Sequence, residues 1–160
     1  MIYLEEKNYM KAIDESKTQV INKELEERFT KERAEWNNKM FDVINSIKDN
    51  KQLTEAQILQ LSYRQIVMDK LTEYRILCDK RQENYDKLIQ KRNDEYDNQS
   101  ARKLSAVEKK TSLTGDYASL NRQIKLISRQ ITYLEETIKT LDNLGFAVKN
   151  RIEIINNQIM

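Results

Sequence analysis

The sequence predicts an all-α fold of long amphipathic helices, and three observations carry that expectation. It contains no proline and only two glycines, Gly115 and Gly145, so the residues that interrupt helices and make tight turns are nearly absent. Charged residues make up 34% and apolar residues 39%, a balance suited to helices that each bury one stripe. Apolar residues also recur at intervals of three and four over long stretches. Such helices draw much of their stability from helix–helix seams, within one chain or between chains.

The first helix is expected over residues 3–48, where Ile13, Val20, Leu25, Phe29, Trp36, Met40, Val43 and Ile47 stand at helical spacing. Trp36 is expected to pack with Met40, one turn on. Lys48-Asp49-Asn50-Lys51 reads as a turn, and Thr54 with Gln57 fits a capping box that opens a second helix reaching about Asn98. The pattern is weakest over 97–116, with Thr114-Gly115-Asp116 as the expected break. The third helix has the cleanest signal. From Leu113 a 4-3 spacing runs through Tyr117, Leu120, Ile124, Ile127, Ile131, Leu134, Ile138, Leu141, Gly145, Val148, Ile152, Ile155 and Ile159. Gln123, Ser128, Gln130 and Glu135 flank it as polar neighbours. A seam this narrow suits one or two partner helices. Beyond Leu141 the pattern broadens, since Leu144, Phe146 and Ile154 lie off the seam, and a tip with two apolar faces is expected to join copies of the chain.

The second helix carries an eleven-residue repeat. Tyr63, Tyr74, Tyr85 and Tyr96 follow that period, as do Lys80-Arg81, Lys91-Arg92 and Arg102-Lys103. Eleven residues make close to three turns, so each repeat returns to nearly the same face after roughly 16 Å. At about 100° per residue, Arg81 lies roughly 20° from the direction of Tyr74, and Arg92 stands likewise to Tyr85. Two readings compete. In one the tyrosines are core and the cations snorkel to its edge, neutralised by neighbouring Asp and Glu. In the other, cations and flat rings form a track for a single nucleic-acid strand, with phosphates on Lys and Arg and bases stacked on tyrosine.

Charge and composition exclude several classes. The net charge of +2 announces no polyanion partner by itself, but residues 70–110 carry 11 basic and 8 acidic side chains while residues 1–57 carry 10 and 12. Histidine is absent, which removes the commonest general base and metal ligand. Cys78 has no histidine to activate it and lies among apolar neighbours, so a structural thiol is the expectation. Neither glycine belongs to a phosphate-cradling loop, and the pairs Glu26-Glu27 and Glu135-Glu136 point apart on a helix. A non-enzymatic protein without a cofactor or metal follows. The single cysteine fits a reducing compartment, and no signal-peptide core or membrane-length apolar run is expected, which points to the cytoplasm.

The C-terminal part resembles a known family. Tyr133-Leu134-Glu135-Glu136-Thr137-Ile138-Lys139, running through Leu141 and Asn143 into Gly145-Phe146-Ala147-Val148-Lys149-Asn150 and Ile152-Glu153, is similar to the end of the UvsY family of tailed-bacteriophage recombination mediators. Lys109-Lys110-Thr111-Ser112-Leu113-Thr114-Gly115-Asp116 looks like the family's lead-in, so the likeness spans roughly residues 103–153. This chain departs from the family pattern at Leu144, where an arginine is common, and at its end, Asn156-Asn157-Gln158-Ile159-Met160. The family's basic segment with adjacent tyrosines has its nearest counterpart here in Tyr85–Arg92. The resemblance implies a mediator that binds single-stranded DNA as a ring-like homo-oligomer, a hexamer or heptamer. It also implies contacts with a single-strand-binding protein and a UvsX-type recombinase, which such a mediator helps to load during recombination and repair.

The resulting expectation is an N-terminal helical arm over residues 1–53 and a coiled-coil-like hairpin over 54–160. DNA contacts are expected at Tyr74, Lys80, Arg81, Tyr85, Lys91, Arg92, Tyr96, Arg102 and Lys103. Association between copies is expected through Leu141, Leu144, Phe146, Val148, Ile152, Ile155 and Ile159. The acidic arm would be free to engage the recombinase or the single-strand-binding protein. The rival expectation is a structural or assembly coiled-coil protein that never touches DNA.

Overall fold

A computed structural model describes residues 2–99 and 117–159, with side chains described over 16–95 and 117–158. Helix α1 spans Ile2–Lys48, a one-turn 3-10 helix spans Asn50–Gln52, α2 spans Leu53–Gln99 and α3 spans Ala118–Ile159. Among the described residues there is no strand, and none of the helices is long and apolar enough to cross a membrane. The expected break at Thr114–Asp116 lies outside the described residues.

The reversal between α1 and α2 is built by Asp49. Its backbone is extended, with φ −100° and ψ 114°, and its carboxylate accepts from Lys51 N at 3.0 Å while its carbonyl accepts from Gln52 N at 2.9 Å. These bonds satisfy amides that a helix start leaves without partners. The capping box expected at Thr54 and Gln57 is therefore not the device used. Leu53 is already helical and buried, so α2 begins one residue before Thr54.

The chain divides into two compact units, and each helix contributes to both. One unit gathers the described parts of Arg28–Arg75 and Arg129–Met160. Its core comes from Phe29, Trp36, Met40 and Val43 of α1, from Leu53, Ala56, Val67, Leu71 and Tyr74 of α2, and from Leu134, Leu141 and Val148 of α3. Their spacing of mostly three, four or seven residues places each set on one side of its helix. Arg33 Nη1 donates to Gln130 Oε1 at 2.8 Å and the Tyr133 hydroxyl donates to Asn37 Oδ1 at 3.1 Å, which sets α1 and α3 parallel in register. Gln60 Nε2 donates to Leu141 O at 3.1 Å and, further along α2, Arg75 Nη2 donates to Glu135 Oε1 at 3.1 Å, with α2 antiparallel to α3. Complete burial of a leucine contributes about 1.5–3 kcal/mol, so Leu134 and Leu141 alone form a substantial part of this core.

This arrangement corrects two expectations. From Arg28 onward α1 is not a free arm, because Phe29, Trp36 and Val43 are sealed against the other helices. A boundary at residue 53 likewise separates no compact units. Phe29, Trp36 and Val43 stand seven residues apart on one side of α1, so together they form one large apolar stripe that packing removes from water. The α3 seam also turns further than its apolar spacing indicated. Ile131 and Ile138 are only half-buried, whereas Gln130 is 0% exposed and Gln123 and Thr137 are buried with it. In the unit just described α3 faces two helices at once, which widens its buried stripe toward the position before each expected seam isoleucine.

The other unit gathers the described parts of Met1–Glu27 and Ile76–Ser128. Ile124 and Ile127 are its buried apolar residues on α3, beside Gln123. Asn22 of α1 is buried and donates through Nδ2 to Ser119 O at 2.8 Å, and Arg122 Nη2 meets Glu26 Oε2 at 3.2 Å.

Candidate nucleic-acid interface

The eleven-residue repeat does not form one solvent-facing track. Tyr74 is 3% exposed, sits edge-on to Phe29 with ring centroids 5.4 Å apart, and donates its hydroxyl to Glu32 Oε2. Burial holds the Tyr74 phenol well above its usual range, and the Glu32 hydrogen bond and charge add to the effect. A ring locked in this way cannot stack on a base, so Tyr74 is withdrawn from the expected contact set. Tyr63 belongs to the same core edge, set against Trp36 at 5.8 Å with Lys39 Nζ 4.5 Å from the Trp36 ring.

From Ile76 onward the repeat separates into two sets. Arg81, Tyr85 and Arg92 are half-buried, while Lys80 and Lys91 are exposed. The Arg81 Nε atom is buried with no hydrogen-bond partner among the described residues, and Arg92 Nη1 pairs with Glu95 Oε2 on its own helix at 2.9 Å. The side chain of Tyr96 and all of Arg102 and Lys103 lie outside the described residues.

Lys87 is a candidate that the eleven-residue period hid. It is exposed, seven residues after Lys80 and four before Lys91. At about 100° per residue the three lysines fall within roughly 40° of one another and some 120–160° round the helix from Tyr85. They form an exposed basic stripe on α2, and the spacing of seven and four was visible in the sequence. Glu83 and Asp94 are exposed beside it, so the positive field is local.

The expected association residues divide in the same way. Leu141 and Val148 are consumed by the core within the chain and are unavailable to a second copy, which corrects their assignment. Leu144, Ile152 and Ile155 are half-buried, Phe146 is 66% exposed, and the side chain of Ile159 lies outside the described residues.

Cys78 is not activated for nucleophilic chemistry. Burial pushes the Cys78 thiol above its usual range, with the Asp79 charge acting in the same direction, so its thiolate is suppressed. A polar hollow of about 410 Å³ lies where Gln19, Asn22, Glu26, Ser119 and Arg122 meet. The Arg122–Glu26 ion pair lies in its lining.

No family model, curated protein or solved structure matches this chain.

Proposed function

We propose that this chain is a single-strand DNA-binding recombination mediator. In this reading it associates with copies of itself and helps a phage recombinase load onto strands coated by a single-strand-binding protein. The observation that carries the reading is the exposed Lys80–Lys87–Lys91 stripe on α2, together with the resemblance of residues 103–153 to the UvsY mediators. Ammonium groups at this spacing suit phosphates along one strand. The half-buried Tyr85 and Arg81 lie round the helix from the stripe and play a supporting part at most. Because Glu83 and Asp94 border the stripe, binding is expected to be weak per copy and strongly salt-dependent, so that association between copies multiplies it.

The test is an anisotropy titration of the full chain with a short labelled single strand at two salt concentrations, beside a duplex of the same length. The proposal expects saturable single-strand binding that weakens as salt rises and exceeds duplex binding. No binding at the lower salt would refute it.

A second reading has specific observations in its favour. Tyr74 is sealed in the core and Arg92 is paired on its own helix, as a purely structural helical protein would have them. That assembly protein predicts no strand binding at any salt.

A further inference from the structure

Away from the lysine stripe, three large apolar side chains stand in solvent beside the α2–α3 seam. Phe146 is 66% exposed, Ile58 58% and Leu61 57%. The Arg64–Asp142 ion pair fixes where they lie. Leu61 comes three residues before Arg64 and Phe146 four residues after Asp142. Since α2 and α3 run antiparallel, both steps lead toward the same end, and Leu61 and Phe146 flank the seam about one turn beyond the ion pair. Ile58 follows one turn further along α2. The helices approach closely here, because a Cβ on Gly145 would stand 2.9 Å from Gln60 Nε2.

The surroundings carry little charge. No charged residue occurs between Ala56 and Tyr63 or between Asn143 and Val148, in a chain where 34% of residues are charged. Two charges of each sign border these stretches in sequence: Arg64 and Asp142 compensate each other at 2.7 Å, and Glu55 and Lys149 stand at the other two ends.

We infer that this Ile58–Leu61–Phe146 surface is the contact between copies of the chain. It deepens the association required by the proposed function, and moves its centre from the buried α3 seam onto the face shared by α2 and α3. An isologous contact sets a patch against itself, so a patch of one sign repels its own copy. This patch is uncharged and its border is internally balanced, so two copies meet without like charges opposed. An exposed aromatic within a charge-depleted area is also the composition of an interface centre.

Sedimentation velocity of the full chain across the micromolar range tests the inference, with wild type beside Leu61→Glu/Phe146→Glu and Ile152→Glu/Ile155→Glu. Wild type is expected to associate, and the Leu61/Phe146 variant to sediment as a monomer with at least about a tenfold weaker association. Wild type that stays monomeric, or a Leu61/Phe146 variant that keeps wild-type mass, would overturn it. Should that variant lose helicity by circular dichroism, Phe146→Cys in a Cys78→Ser chain decides. Capture as a covalent dimer by a short bis-maleimide supports the contact, and absence of dimer overturns it. The strand titration on the same samples separates this contact from DNA binding. A wild type that associates but binds no strand refutes the mediator and leaves the contact standing.

Discussion

Glu32 and Tyr74 close a buried polar contact between α1 and α2, with one carboxylate oxygen of Glu32 left without a partner among the described residues. Removing one member of such a pair strands the other, whereas replacing both with apolar groups removes the penalty. Tyr74→Phe is therefore expected to destabilise the fold by about 1–3 kcal/mol in urea unfolding. Tyr74→Phe/Glu32→Leu is expected to recover most of that loss, and additive losses in this double-mutant cycle would contradict the contact. The pH dependence has a definite sign. With its folded pKa above the unfolded value, the Tyr74 phenol contributes stability that is complete below about pH 10 and declines as pH rises above it. The urea midpoint of wild type should fall more steeply than that of Tyr74→Phe above this pH. Gly145 has a distinct role. Gln60 donates to Leu141 O in space that a side chain at 145 would enter, so Gly145→Leu is expected to cost about 1–3 kcal/mol by displacing that amide. The seam position of Gly145 was legible in the sequence. The inward turn of Gln60 was not, since it sits between Leu59 and Leu61 and the apolar neighbour is the one left in water. Glu32 was within reach, because it stands three residues after Phe29 and four before Trp36 on one buried stripe.

The long helices were readable because proline and glycine are so scarce, and the expected end of the first at 48 falls at Lys48. The turn was placed correctly and its capping residue was not. Thr54 with Gln57 matches a sequence pattern, but Asp49 has the extended backbone that a cap requires. Asp49→Ala is expected to cost about 0.5–2 kcal/mol, measured by thermal unfolding, and Thr54→Ala to be nearly silent. On α3, spacing identified the buried side to within one position. It could not show that two helices pack on α3, because periodicity records which residues avoid water and not how many neighbours cover them. Leu134→Ala should accordingly cost about 2–5 kcal/mol and Ile131→Ala distinctly less, as read by urea unfolding. On α2 the eleven-residue repeat is real, but it marks the side of the helix that turns inward. The exposed cations follow the seven-and-four spacing of Lys80, Lys87 and Lys91.

For the molecule as a whole, the division into two compact units is the feature least visible in the sequence, since no glycine or proline marks it and each helix runs through both. In one unit apolar side chains of all three helices fill the core, and Ile58, Leu61 and Phe146 remain exposed, where the inferred contact with a second copy would form. In the other Lys80, Lys87 and Lys91 of α2 are exposed, and under the proposed function they would supply cations for a strand. Under the proposed function association and DNA binding use different residues, and the exposed lysines, not the inward arginines, bind the strand. The most direct measurement compares the salt dependence of single-strand affinity for wild type, Lys80→Gln/Lys87→Gln/Lys91→Gln and Arg81→Gln/Arg92→Gln. Each lost phosphate contact lowers the slope of log affinity against log salt by about 0.7, so the lysine variant should lose about 2 from that slope. The arginine variant should stay close to wild type. The opposite ranking, or three equal slopes, would contradict the account.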